Sequence, residues 1–412
     1  MQTNKVHWAA LITLIVIGIG VFFLLSLSIA LALVSFVELA GGEGDPAAEM
    51  ISAFSFGFLL LVLLVSGWFV LGKARGMPSA DEPFAFQLPA WMRAVIPALV
   101  ILVIVGGGLV TLLEAPWLNL IILPTATLLV IVAPIWLLFG VAANRIELGP
   151  RWRFFTILSL GITIGPFLMI VIEIILILII AAIGVVYVSV AEPEIMRELR
   201  TLVDMLNTTT DESALISILT PYITNPTVIA IGLGYVAVIV PLIEELLKPL
   251  AVWFFARQIS SPAQGFALGV LSGAAFALLE SLNASSDGSG TWAVIVTART
   301  GTSLLHMLTS GLVGWGITST FAKRRIGKFF AAYFSAFLIH GIWNAAAGGI
   351  GIAALGESVG RPEWVFHYAP AFLGGLIVLA IGVTVILFAA NRELRAPNFL
   401  AQAAEEKVES TA

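Results

Sequence analysis

The sequence predicts an all-α polytopic membrane protein of about ten transmembrane helices with both termini in the cytoplasm. Three observations carry that reading. The 412 residues are 59% hydrophobic and only 11% charged, whereas a soluble domain carries about 25% charged residues. The apolar residues come in long runs, and Trp8–Val37, Ile51–Gly72 and Ala94–Leu113 contain no charge. About 20 residues at ~1.5 Å each cross a ~30 Å hydrocarbon core. In lipid the backbone must satisfy its own hydrogen bonds, so such runs are helices; the alternation of a strand is absent. Finally, the polar connections alternate in charge.

Taken in order, the spans are Trp8–Val37, Ile51–Gly72, Ala94–Leu113, Trp117–Ala142, Phe154–Val190, Thr227–Arg257, Ala263–Asn283, Thr291–Phe321, Phe329–Ile350 and Phe366–Asn391. The first is too long for a cleaved signal peptide and lacks a small-residue cleavage pattern. In the fifth, Gly165-Pro166 is a candidate break. Lys73, Arg75 and Arg93 flank the second loop, and Arg145, Arg151 and Arg153 the fourth. Arg257 ends the sixth span; Lys323, Arg324, Arg325 and Lys328 follow the eighth; Arg392 and Arg395 follow the tenth. Acidic or basic-poor loops lie between, with Glu38, Glu43, Asp45 and Glu49 in the first and Asp287 in the seventh. Lys and Arg stay inside, which fixes the orientation; Arg197, Arg200 and Arg361 are outnumbered exceptions.

The domain organisation expected from this pattern has N-terminal helices over 1–226 with an outer loop at 191–226. A four-helix core over 227–350, a C-terminal helix within 351–400 and a disordered tail at 401–412 follow. In the outer loop Ile195, Met196, Leu199, Leu202, Val203 and Leu206 recur at helical spacing, as in an amphipathic surface helix. Cysteine is absent, which excludes disulfides, thiol catalysis and Cys-ligated zinc. A net charge of −5 without a basic block gives no reason to expect nucleic acid. The expected surroundings are membrane lipid, in a multi-pass protein of the cell membrane; the sequence sets no oligomeric state.

An ionisable group at the bilayer centre costs at least ~2.5–3.5 kcal/mol, so its presence needs a reason. Glu173 lies in the fifth span, and Glu244, Glu245, Lys248, Glu280, Arg299, His306 and His340 occupy the sixth to ninth. Such clustering over four consecutive spans points to a shared polar site. Glu244 and Lys248, four apart, suit an ion pair, whereas Glu245 is turned ~100° from Glu244. Pro241 and Pro249 each remove a backbone hydrogen bond, which makes weak points on either side of the acids. Gly265, Gly269, Gly273 and Ala277 form a small-residue face that permits close helix approach. Glu244, His306 and His340 fall near the midpoints of their spans, but Glu280 lies about seven residues, or ~10 Å, outward of its own. Either that helix continues past Asn283 or Glu280 pairs with Arg299.

The set Glu244-Glu245-Leu-Leu-Lys248, Phe276-x-x-x-Glu280, His306 and His340-x-x-x-Asn344 resembles the PrsW family of intramembrane proteases. That family sits within the superfamily of CAAX-prenyl endopeptidases and abortive-infection proteins. The resemblance covers roughly Thr227–Ile350. The CAAX branch has His at the position of Glu280 and an Arg one residue beyond Lys248, which argues against a prenyl-protein substrate. The resemblance implies cleavage of a membrane-protein substrate in or near the bilayer, such as an anti-sigma-factor-like regulator. It implies Glu244 as general base, Glu245 as its essential neighbour, and Glu280 within the same catalytic set. His306 and His340 would hold or polarise water, Asn344 would stabilise the oxyanion, and Lys248 and Arg299 would support. Glu244, Glu280, His306 and His340 could equally hold a catalytic Zn2+ with an open position for water. A proton-coupled transporter and a non-catalytic membrane scaffold are the competing readings. Inverted repeats would favour the transporter, and no repeat is evident in the chain.

Overall fold

The computed structural model describes residues 7–42, 44–113, 115–359 and 366–395. Glu43, Arg361 and the tail 401–412 lie outside them. Among the described residues, nine helical segments are long and apolar enough to cross a membrane. The eighth expected span is also a helix, Trp292–Lys323, but its Ser, Thr, Arg and His content makes it less apolar than the other nine. One element had no forewarning in the sequence, a two-stranded antiparallel ribbon of β1 (Pro83–Ala85) and β2 (Glu147–Pro150).

The chain divides into two compact units. The first comprises Met1–Pro166, Glu245–Ala336 and Ala380–Ala412. It opens with α1 (Trp8–Gly41) and α2 (Pro46–Ala74), which pack as a hairpin. Gly42 stops α1 at φ 72, a left-handed backbone that glycine adopts without strain. Asp45 starts α2 by accepting from the amide of Ala48, with Pro46 in the first turn. A short turn of helix, α3 (Pro78–Asp81), precedes the ribbon; α4 (Met92–Thr111) and α5 (Pro116–Ala142) follow. The long fifth span breaks into α6 (Arg151–Ile162) and α7 (Ile164–Ala191) at Thr163, whose ψ is −84. Pro166 explains the place, because its ring clashes with the carbonyl four residues earlier, that of Ile162.

At the centre of this unit lies α13 (Pro262–Asn283), with 89% of its apolar window buried. Ser261 caps it through the amide of Gln264. It packs against α14 (Trp292–Lys323), α5 and α6. The small-residue face does what its spacing predicts. A Cβ on Gly269 would collide with the carbonyl of Ser310, and one on Gly273 with the carbonyl of His306. The two helix backbones therefore touch, and larger residues would push them apart.

The second unit comprises Phe167–Glu244 and Phe337–Leu379. It holds most of α7, then α8 (Pro193–Thr208), α9 (Glu212–Ile223) and α10 (Pro226–Gly234). The amphipathic surface helix is α8, on which Leu202 is buried; α9 is a second helix in what read as one connector. After α10 the sixth span winds through one π turn, Tyr235–Ile239, into α11 (Val240–Leu247). Pro241 has no N–H to give the carbonyl of Ala237, so regular winding fails here. The chain breaks again at Pro249 before α12 (Leu250–Phe255). The later half of α15 (Ile326–Ser358) and the start of α16 (Ala369–Leu394) complete the second unit.

Candidate functional site

The candidate residues form two groups, one in each unit. The group in the first unit is a continuous chain of charge-assisted contacts. Glu245 and Lys248, 0% and 1% exposed, meet at 2.9 Å. Pro249 ends the helix directly after Lys248, and the carbonyl of Lys248 accepts from Ser272 Oγ at 2.5 Å. The ammonium also lies 2.7 Å from Nδ1 of His306 and 4.8 Å from the face of Phe276. An ammonium has only donors, so Nδ1 accepts, and the imidazole proton sits on Nε2. From there it is donated to Oε2 of Glu280 at 2.7 Å. Arg299 closes the chain at 2.8 Å from the same carboxylate oxygen. Ser281 and Ser303 bond at 2.9 Å beside it.

This arrangement resolves the position of Glu280. Helix α13 ends at Asn283, and Glu280 pairs with Arg299. The structure pairs Lys248 with Glu245, three residues before it, a spacing that meets on a helix face as four does. Phe276, which the sequence offered only as the start of the Phe276-x-x-x-Glu280 motif, and Ser272, which it did not single out, hold Lys248 in the structure.

The group in the second unit is looser. Glu244 Oε2 and His340 Nε2 are 3.8 Å apart, with His340 2% exposed. One turn further on α15, Asn344 donates from Nδ2 to the carbonyl of Val236 in the π turn at 2.9 Å. Gly341 stands between these two residues, where a Cβ would strike the carbonyl of Ala237. The π turn thus presents carbonyls to α15, and only glycine and a hydrogen-bonding amide fit against them. Tyr235, at the start of the same turn, donates to the backbone carbonyl of Glu173 at 3.3 Å. Glu244 and Glu245 are consecutive, so one peptide bond links the two groups.

Acidic, imidazole and amide side chains thus stand on α11, α13, α14 and α15. Residues 205–381 match the family model described as PrsW family intramembrane metalloprotease. They form a PrsW-family protease domain. The match begins before and ends beyond the stretch the sequence motifs cover, taking in α9, the end of α8 and part of α16. No curated protein and no solved structure matches the chain. The protein is therefore a multi-pass membrane protease with a PrsW domain preceded by further membrane helices. The family model is described as a metalloprotease.

Proposed function

We propose that the PrsW domain cuts a single-span membrane protein of the cell membrane, a tethered regulator of the anti-sigma-factor type, with Glu244 and His340 handling the attacking water. The observation that carries this is the facing pair of Glu244 and His340, a carboxylate and an imidazole 3.8 Å apart at mid-span on α11 and α15. Peptide hydrolysis needs a base for the water and a donor for the developing oxyanion. Glu244 takes the proton of the water, and His340 orients it. Asn344 has two N–H groups; one is fixed on Val236, which pre-aims the other at the oxyanion. Glu245, neutralised by Lys248, anchors the neighbouring backbone so that Glu244 keeps its direction. Glu280 and Arg299 fix the tautomer of His306.

A metal reading is favoured by the donor set and by the family description. The separation of Glu244 and His340 is close to the ~3.4 Å expected of two ligands about 2.0–2.1 Å from one tetrahedral zinc. In this reading Glu244 and His340 would hold the ion, which when bound would lower the pKa of a coordinated water.

The test is co-expression of wild type and Glu244→Gln with candidate single-span substrates, reading cleavage fragments on blots. Fragments from the wild type alone support the proposal, and identical fragments from both overturn it. Phenanthroline treatment with measurement of bound zinc separates the two routes. Zinc at one per chain and loss of cleavage on chelation select the metal reading; full activity without zinc selects the metal-free one.

A further inference from the structure

At the end of α16, in the first unit, three arginines converge on a single cavity of about 440 Å³. They come from separate parts of the chain. Arg93 lies in the first turn of α4, and Arg392 and Arg395 lie at the end of α16. Among the described residues no carboxylate lines the cavity. Arg392 in the last turn of α16 and Arg395 just past its end repel each other, and Arg93 adds a third like charge; a bound anion would relieve all three. The wall is built rather than incidental. Asn391, 7% exposed, donates from Nδ2 to the carbonyls of Ala142 and Asn144 at 2.8 and 3.0 Å. This amide ties the end of α16 to the end of α5 and satisfies carbonyls that the helix terminus leaves open.

The remaining lining is apolar: Val141, Phe388 and Ala389. Phe388 is 47% exposed on the membrane-facing surface of α16, and Trp91, 59% exposed, precedes α4. Exposed aromatics at helix ends mark the level of the lipid headgroups. The charge alternation of the loops puts this end of the helices on the cytoplasmic side, where anionic lipids concentrate.

We propose that this cavity binds the phosphate headgroup of an anionic phospholipid of the inner leaflet, with an acyl chain running along Phe388. Guanidinium groups match phosphate oxygens in paired hydrogen bonds. A free phosphate would use the same arginines, but the apolar side facing the bilayer would give it nothing, which favours the lipid. The site is independent of the protease chemistry and lies outside the matched domain.

The experiment uses the full chain in detergent with phosphatidylglycerol, phosphatidylcholine or inorganic phosphate, and reads bound lipid by native mass spectrometry and the shift in thermal unfolding. The expected result is preferential retention of phosphatidylglycerol, reduced roughly 10–100-fold in the Arg93→Gln/Arg392→Gln/Arg395→Gln variant and weakened by salt. If the triple variant does not fold, Arg395→Gln alone, just past the end of α16, is expected to give a partial loss. Equal retention of phosphatidylcholine would overturn the proposal, as would unchanged binding in the variants. Competition by inorganic phosphate at the affinity of the lipid would also overturn it, by showing that the anion alone is read.

Discussion

Glu244 and Glu245 are neighbours in sequence and opposites in setting. Glu245 belongs to the first unit, where it, Lys248, His306, Glu280 and Arg299 form a chain of contacts between 2.7 and 2.9 Å. Those helices are held backbone to backbone by the glycines of α13. Glu244 belongs to the second unit, where it stands 3.8 Å from His340 beside a π turn. A tight, mutually neutralising chain is suited to holding a structure. A wider pair beside an irregular backbone is suited to admitting a water. The comparison teaches that buried charge in a membrane core has two uses, and that contact distance and backbone regularity separate them.

Substitutions test that division. The largest effect expected is on chemistry: Glu244→Gln should reduce cleavage by about 10²–10⁴-fold, the range of a general base, with the unfolding temperature almost unchanged. His340→Ala should act similarly. The opposite pattern is expected for Lys248→Met, which strands Glu245 and should cost about 3–5 kcal/mol of stability, read by thermal or denaturant unfolding in detergent. Removing both charges in Glu245→Gln/Lys248→Met should restore most of that loss; a double variant as unstable as the single one would break the assignment of this pair to structure. Next come the glycines. Gly273→Val on the α13 contact should cost about 1–3 kcal/mol by overpacking. Gly341→Ala, against the π turn, should lower turnover more than stability; the reverse ranking would erase the distinction between the units.

The smallest effect concerns the outer loop of the first unit. Burial tends to raise the pKa of Asp287, but hydrogen bonds from Ser289 and Thr291 outweigh it and hold the carboxyl below its ordinary value. A depressed pKa contributes stability above the unfolded value, near ~3.9, and that contribution is lost as pH falls through the folded value. Protection factors of the amides of Ser289 and Thr291, corrected for the intrinsic pH dependence of exchange, should therefore fall below about pH 4 and stay steady from there to neutrality. Asp287→Asn should abolish the dependence.

The helices and their order were legible because lipid leaves the backbone few options, and the glycine face because spacing four has one geometric meaning. Arg299 was one of two explanations the sequence offered for the outward position of Glu280, and the end of α13 at Asn283 with the Glu280–Arg299 pair decides between them. Lys248 was legible only in part: spacings of three and four both bring side chains together on a helix, and the partner found in the structure is Glu245, at three. The π turn was hidden. Pro241 announces a fault in the winding but not its form, which depends on Asn344 and Gly341, about a hundred residues away. The ribbon β1–β2 escaped because strands of three and four residues are too short for alternation to show. The arginine cavity was visible only as loop charge, since its members come from three distant places.

The π turn at Tyr235–Ile239 gives the sixth helix one residue more than a regular winding needs. Excising a single residue there would let the helix close up and swing everything upstream of the acids through roughly 100°. Asn344 would then meet a side chain where it now grips a carbonyl. The surplus residue works as an expansion joint, so the outer end of this helix can lengthen, shorten or turn while the acids keep their aim.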